Sequence, residues 1–220
     1  MLTPALPPPF PLLWGFSTKE DDPSMLPPLR LHQVHGTTLH EAMDTIQEGD
    51  GLWTQTPGLR IGVRVADCVP ILLAGFAGGK PWVAALHAGW RGAVGGGGSG
   101  EHPGILRVAV SQFCVAGGNP SELAWALGPS IQKCHFEVGP EVLDAARKDP
   151  AWMEGLSQSG PSGRPLLALH GLLKAQGQDL GLSPNLDGSI PRCTVCEPDL
   201  LWSYRRGDRE CRQWGWIEIR

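Results

Sequence analysis

The chain has 220 residues, 18 of them basic and 22 acidic, for a formal net charge of −4. That length suits a single domain over residues 1–220 with a sizeable core. No cluster of Lys or Arg builds a face for a polyphosphate backbone, which excludes nucleic acid as an expected partner.

In chain order, a Pro-rich segment covers about residues 1–13. It is apolar but carries five prolines and no basic n-region, so it matches neither a signal peptide nor a spanning helix. A cytoplasmic protein with no membrane contact is expected. Residues 59–73, LRIGVRVADCVPILL, alternate and then run apolar, with Pro70 as an obstacle to central pairing; the pattern predicts two strand pieces meeting at 66–69. Cys68 then lies at a strand junction. Residues 82–86, WVAAL, read as a buried strand ending at His87. The tract GGGGSG over 95–100 reads as a hinge, and Pro103 fits the first turn of a helix running to about Cys114. Ile105, Leu106, Val108, Ala109 and Phe113 form its apolar face, and Gly117-Gly118 stop it. Another buried strand follows at 123–127, then helices at 140–148 and 166–176, the latter with Leu166, Leu169, Leu172 and Leu173 on one side. Residues 200–204 and 214–219 are expected to pair as a hairpin around Arg206-Gly207-Asp208. Strands mixed with helices imply an α/β or α+β domain with at least one mixed sheet.

Three segments look least like generic packing: LHQVHG with His35, VADCVP with Cys68 and LHAGWRG with His87. A thiolate with two imidazoles makes three zinc ligands and leaves a fourth position open, the coordination of a catalytic site. Each residue also has an ordinary reading. His35 alone is a loop histidine, with His32 and His40 as competitors, and Cys68 in an apolar strand is an inert small hydrophobe. Asp67 tips the balance, because a carboxylate beside a thiol at a strand junction is costly in a core and natural in a site. His87 is followed by small residues and Arg91 at the end of a buried strand, where ligands commonly bind. Six cysteines without an export signal read as thiols, ligands or nucleophiles rather than a disulfide framework. Cys193 and Cys196 form a C-x2-C, by spacing half of a structural zinc site or a redox pair; Cys134 and Cys211 are single. With no other half announced, the two read as packed thiols.

The motifs HQVHG, ADCVPILL, HAGWRG, LGPSIQKCHFEVG and CTVCEPDLLWSYRRG, in this order, closely resemble the YfiH-like family, over roughly Gly15 to the C-terminus. That family is a polyphenol oxidoreductase or laccase by older usage, and a zinc-dependent purine nucleoside phosphorylase and adenosine deaminase by later usage. The resemblance implies that His35, Cys68 and His87 bind the metal. It also implies an α+β fold of mixed β-sheets packed together and flanked by helices, related to a cysteine-hydrolase fold found in a bacterial deamidating toxin. Two segments depart from the family pattern. GFSTRxGGVS becomes GFSTKEDDPS over 15–24, so Lys19 puts a point charge where the family has a guanidinium fork. Cys134-His135 stands where many relatives have two adjacent cysteines, which makes His135 a local acid, base or spare ligand.

What the resemblance implies chemically is one zinc per chain, with a nucleoside and phosphate as small-molecule partners; the sequence carries no signal for an oligomeric state. Zinc lowers the pKa of a bound water to around 7, which suits deamination of adenosine, with Asp67, or else Glu137, shuttling the proton. Phosphorolysis of adenosine, inosine or methylthioadenosine needs anion contacts, for which Arg91, Arg205 or Arg206 and Lys19 are candidates, and Trp90 is placed to stack on a purine. An alternative is a metal-free cysteine hydrolase or amidase with Cys68 as nucleophile and His87 as base. A copper oxidase ranks lowest, because seven scattered histidines leave little for a multinuclear cluster. A non-enzymatic metal-binding module is the remaining reading.

Overall fold

The computed structural model describes residues 1–6, 8–22, 31–95 and 103–220. Strands β1 (Leu12–Phe16), β2 (Leu39–Glu41), β3 (Gly51–Thr54) and β4 (Arg60–Val65) lead to a long central hairpin of β5 (Val69–Ala77) and β6 (Lys80–Ala88). The two strands pair without interruption from Val69↔Ala88 to Ala77↔Lys80. Gly78 and Gly79 make the turn with φ of +59° and +75°, left-handed at both positions, as a tight hairpin turn requires and only glycine adopts without steric cost. Beyond it come α1 (Trp90–Val94), α2 (Ile105–Val115), β7 (Ala124–Leu127) and α3 (Pro140–Arg147). The short pair β8 (Ser157–Ser159) and β9 (Pro165–Leu167), α4 (Leu169–Asp179) and β10 (Gln213–Ile219) complete the order.

The hairpin sits inside a five-stranded sheet, β2-β3-β6-β5-β7, mixed because β2 and β3 run parallel while the other pairs are antiparallel. A second, antiparallel sheet has the order β1-β10-β4. Side chains alternate across a strand, and β5 is apolar on both faces. Leu72 and Ala74 pack with Phe16, Ile61, Val63 and Ile217 of the second sheet, whereas Ile71 and Leu73 pack with Ile105, Ala109 and Phe113 of α2 and Leu169 and Leu173 of α4. The result is three layers, sheet on sheet on helices, in an α+β architecture. Among the described residues no helix is long and apolar enough to cross a membrane.

Several elements differ from the sequence expectation. The two strand pieces around Cys68 are as expected, but Pro70 lies within β5, opposite His87. It is tolerated because the β7 ladder begins only at Ile71, and the Pro70 carbonyl accepts from Gly128 N. Pro103 precedes Gly104, the N-cap of α2, so it lies outside the first turn. Gly96–Gly100 of the expected hinge lie outside the described residues. The helix expected from 166 begins at Leu169, because Leu166 and Leu167 belong to β9 and pair with Gln158 and Ser157. Residues 200–204 form no strand. Both edges of β10 are taken by β1 and β4, and the 200–208 backbone bonds locally, with Leu201 N on Glu197 O and Asp208 N on Ser203 O.

Candidate metal centre

His87 is set by the hairpin: it is the penultimate residue of β6, buried, with its backbone N–H on the Asp50 carbonyl at 2.7 Å. Cys68 ends the crossover between β4 and β5, which run in different sheets, and is half-buried. His35 comes from the loop before β2. Its backbone φ is +61° and that of Asp67 is +87°, the only non-glycine residues among those described with left-handed backbones. Such strain persists only where the surroundings impose it, and both cases flank this site. The ligating atoms of His35, Cys68 and His87 all lie within 4.8 Å of one another, and the two imidazoles meet edge to face with centroids 4.8 Å apart.

Asp50, not among the residues singled out by sequence, organises the group. Its fully buried carboxylate accepts from His87 Nδ1 at 2.7 Å, His35 N at 3.0 Å and Gly36 N at 2.6 Å. It therefore fixes the loop carrying one ligand and the ring orientation of another, leaving His87 Nε2 to face the thiol. Burial would push the Asp50 carboxyl up, but the His87 hydrogen bond and the Gly36 amide outweigh it and hold it below the usual carboxylate range. Burial likewise pushes the Cys68 thiol up, yet the His87 and His35 rings bring it down to about 6. His87 is lowered by burial and raised by Cys68 and Asp50, to about 9. The two rings thus favour the thiolate form of Cys68 that a metal requires. Gly89 lets the three approach: a Cβ there would stand 3.0 Å from His35 Cδ2 and 3.3 Å from Cys68 Sγ.

A cleft of about 220 Å³ opens beside the trio, lined by His35, Asp67, Cys68, Trp90, Arg91, Ile131, Phe136 and Leu169. Alongside it a wider groove is bordered by Arg64, Tyr204, Arg205, Arg209 and Arg212. Trp90 and Arg91 lie where sequence placed them, with the Arg91 guanidinium 4.4 Å over the Trp90 ring. The Asp67 carboxylate accepts from Thr194 Oγ1 at 2.6 Å and Arg205 N at 2.7 Å, so it ties the 194–205 segment to the site. Arg205 lines the groove, but its guanidinium donates to the His135 and Glu137 carbonyls.

Other candidates have different surroundings. Arg206 is a loop clamp, donating to the Thr194 and Leu201 carbonyls and paired with Asp208. Lys19 is absent from both linings; its ammonium donates to Pro198 O at 2.7 Å and lies 4.0 Å over Trp202. Glu137 accepts from the Ser162 hydroxyl, outside the cleft. Neither His32 nor His40 joins the metal group; the His40 ring bonds the Glu48 carbonyl. Cys193 and Cys196, read from spacing as two packed thiols, have company that the spacing did not announce: Cys134 and His135 converge on them.

The family model described as multi-copper polyphenol oxidoreductase laccase matches residues 24–220. Purine nucleoside phosphorylase PA4543 of Pseudomonas aeruginosa is 34% identical over 189 residues, covering 84% of this chain and 71% of that protein. Purine nucleoside phosphorylase YfiH of Escherichia coli is 34% identical over 183 residues, 81% and 68% of the two chains. Adenosine deaminase RL5, from an unknown prokaryotic organism, is 34% identical over 158 residues, which is 71% of this chain and 56% of that protein. Among solved structures, a Bacillus licheniformis protein, YfiH, superposes with a TM-score of 0.75 at 25% identity over 87% of this chain and 74% of the other. Neisseria meningitidis protein NMB0706 gives 0.71 at 30% identity over 87% and 75%. Sequence and architecture agree, and the chain belongs to the YfiH-like, laccase-described family.

Proposed function

We propose that this chain is a zinc-dependent purine nucleoside enzyme that phosphorolyses adenosine, inosine or methylthioadenosine and deaminates adenosine. The observation that carries the reading is the convergence of His35, Cys68 and His87, all three lining the wider groove and two of them, His35 and Cys68, also the apolar-walled cleft beside it. The donor set fits zinc: one thiolate and two imidazoles, with Asp50 fixing the His87 tautomer, match a catalytic site with one position left for water or substrate. Zinc held there supplies Lewis acidity and brings the pKa of water to around 7.

The remaining work falls to the chain itself. Trp90, Phe136 and Leu169 provide a flat apolar enclosure for a purine and exclude bulk water. Asp67 stands beside Cys68 on the cleft wall; its oxygens have lone pairs beyond those bonded to Thr194 and Arg205, and it carries the proton to the leaving nitrogen. Arg91 lines the same cleft and offers a guanidinium to phosphate. The test is metal analysis of the purified chain, with product assays on adenosine, inosine and methylthioadenosine with and without phosphate. Zinc should be retained, hypoxanthine should form from inosine only when phosphate is present, and ammonia should form from adenosine regardless. Base release without phosphate would end the phosphorylase reading.

A second reading has its own support: Cys68, His87 and Asp50 form a nucleophile, base and orienting carboxylate in sequence of contact. It predicts full activity after stringent chelation, whereas the zinc reading predicts its loss. Copper oxidase chemistry ranks below both, since the two metal-capable groups among the described residues together hold three imidazoles.

A further inference from the structure

Cys134, His135, Cys193 and Cys196 come from two loops that sequence leaves about 60 residues apart, yet their ligating atoms all lie within 4.8 Å of one another. Cys134 Sγ is 3.6 Å from Cys193 Sγ and 3.7 Å from Cys196 Sγ. His135 Nδ1 is 3.2, 3.4 and 3.7 Å from the sulfurs of Cys134, Cys196 and Cys193. Around a tetrahedral zinc with Zn–S of about 2.3 Å and Zn–N of about 2.0–2.1 Å, neighbouring sulfurs stand about 3.8 Å apart and sulfur stands about 3.6 Å from nitrogen. Four of these five edges therefore come within about 0.2 Å of a filled site, and only His135 Nδ1 to Cys134 Sγ, at 3.2 Å, is tighter. No disulfide explains them, since a bonded pair would be at about 2.05 Å and all these cysteines are free. Hydrophobic packing does not explain them either, because Cys134 and Cys196 are exposed and only Cys193 is buried. The Cys193 sulfur also accepts backbone N–H bonds from Gln132, Val195 and Cys196, the kind of support that holds a metal thiolate.

We propose that Cys134, His135, Cys193 and Cys196 form a second, structural zinc site, closed by four protein ligands and distinct from the open site at His35, Cys68 and His87. Its role follows from what its loops hold. Ser130 is tied to the 192–194 segment beside it by two backbone bonds of 3.1 Å, Ser130 N to Arg192 O and Thr194 N to Ser130 O. Thr194, between the two C-x2-C ligands, donates to Asp67, the neighbour of Cys68. Phe136, the residue after His135, lines the cleft. Zinc here staples the wall of the substrate cleft and takes no part in bond making.

The test is elemental analysis of the full chain after loading with zinc under reducing conditions and desalting. Wild type should hold about two zinc per chain, and Cys196→Ser or Cys134→Ser about one. Both replaced side chains are exposed, so the core is untouched, and circular dichroism verifies the fold. In the Cys68→Ala background, cobalt should still give an intense thiolate charge-transfer band, which Cys196→Ser then abolishes. Zinc content unchanged by both serine variants would overturn the proposal, as would a disulfide among these cysteines in the freshly isolated protein. Cys68→Ala reports the first site and Cys196→Ser the second, so failure of one reading is separable from failure of the other.

Discussion

Asp50 couples two ligands of the trio through one carboxylate, and that makes it the most sensitive single residue of the site. Its Oδ1 receives His87 Nδ1 and His35 N while Oδ2 receives Gly36 N. In Asp50→Asn an NH2 group replaces one oxygen and faces a donor whichever way the amide turns. The chain folds, but His87 is driven towards the other tautomer and the His35 loop loosens; zinc affinity should fall by about 10–100-fold in a chelator-competition titration. An unchanged affinity would remove Asp50 from the organising role. Gly89→Ala acts by steric means alone, placing a methyl 3.0 Å from the His35 ring and 3.3 Å from Cys68 Sγ. Zinc uptake should drop while the melting temperature of the metal-free protein stays near wild type. That His35, Cys68 and His87 converge was legible from sequence because each sits in a motif with an odd composition. Asp50 was not, since EGDGLW carries no spacing signal and its bonds reach residues 14 to 37 positions away.

At the scale of elements, periodicity identified the strands buried on both faces and the helix of residues 140–147, where local pattern and tertiary role coincide. It failed where partners decide. Leu166 and Leu167 continue the helical apolar stripe of α4 but are drawn into β9 by Gln158 and Ser157, and residues 200–204 lose their expected partner because β10 is already paired on both edges. Within α4, His170 is 4% exposed, and its Nε2 has no protein partner. Burial, reinforced by the Lys174 charge one turn on, lowers it to about 4 despite the Leu127 carbonyl and Asp187. A histidine neutral in the fold and basic when unfolded makes the unfolded state bind more protons, so its contribution is intact above about pH 6.5 and is lost as pH falls towards 4. The loss is on the order of 3 kcal/mol. His170→Leu should flatten that limb in denaturant titrations between pH 7 and 4, and the Leu127 carbonyl remains satisfied by Ile190 N at 2.8 Å. A slope equal to wild type would assign the acid sensitivity elsewhere.

For the whole molecule, His35, Cys68 and His87 draw on a pre-β2 loop, the crossover between the two sheets and the end of the central hairpin, so a metal held by them would tie all three parts of the strand framework. Binding to the folded state alone stabilises by about 2.7 kcal/mol at a free metal concentration one hundred times Kd. For a chain of this size that corresponds to a rise in Tm of about 5–10 °C. The measurement belongs in the Cys196→Ser background, where the second cluster is broken and the shift reports on one site. Stripped protein should gain that increment on adding zinc, and Cys68→Ala in the same background should abolish it. A shift that survives Cys68→Ala would mean that zinc stabilises the fold without the trio, and the open site would then lose its claim to the metal. Because both sheets share the core around Leu72 and Ile217, the transition should remain single with and without zinc, moving as one unit rather than splitting into two.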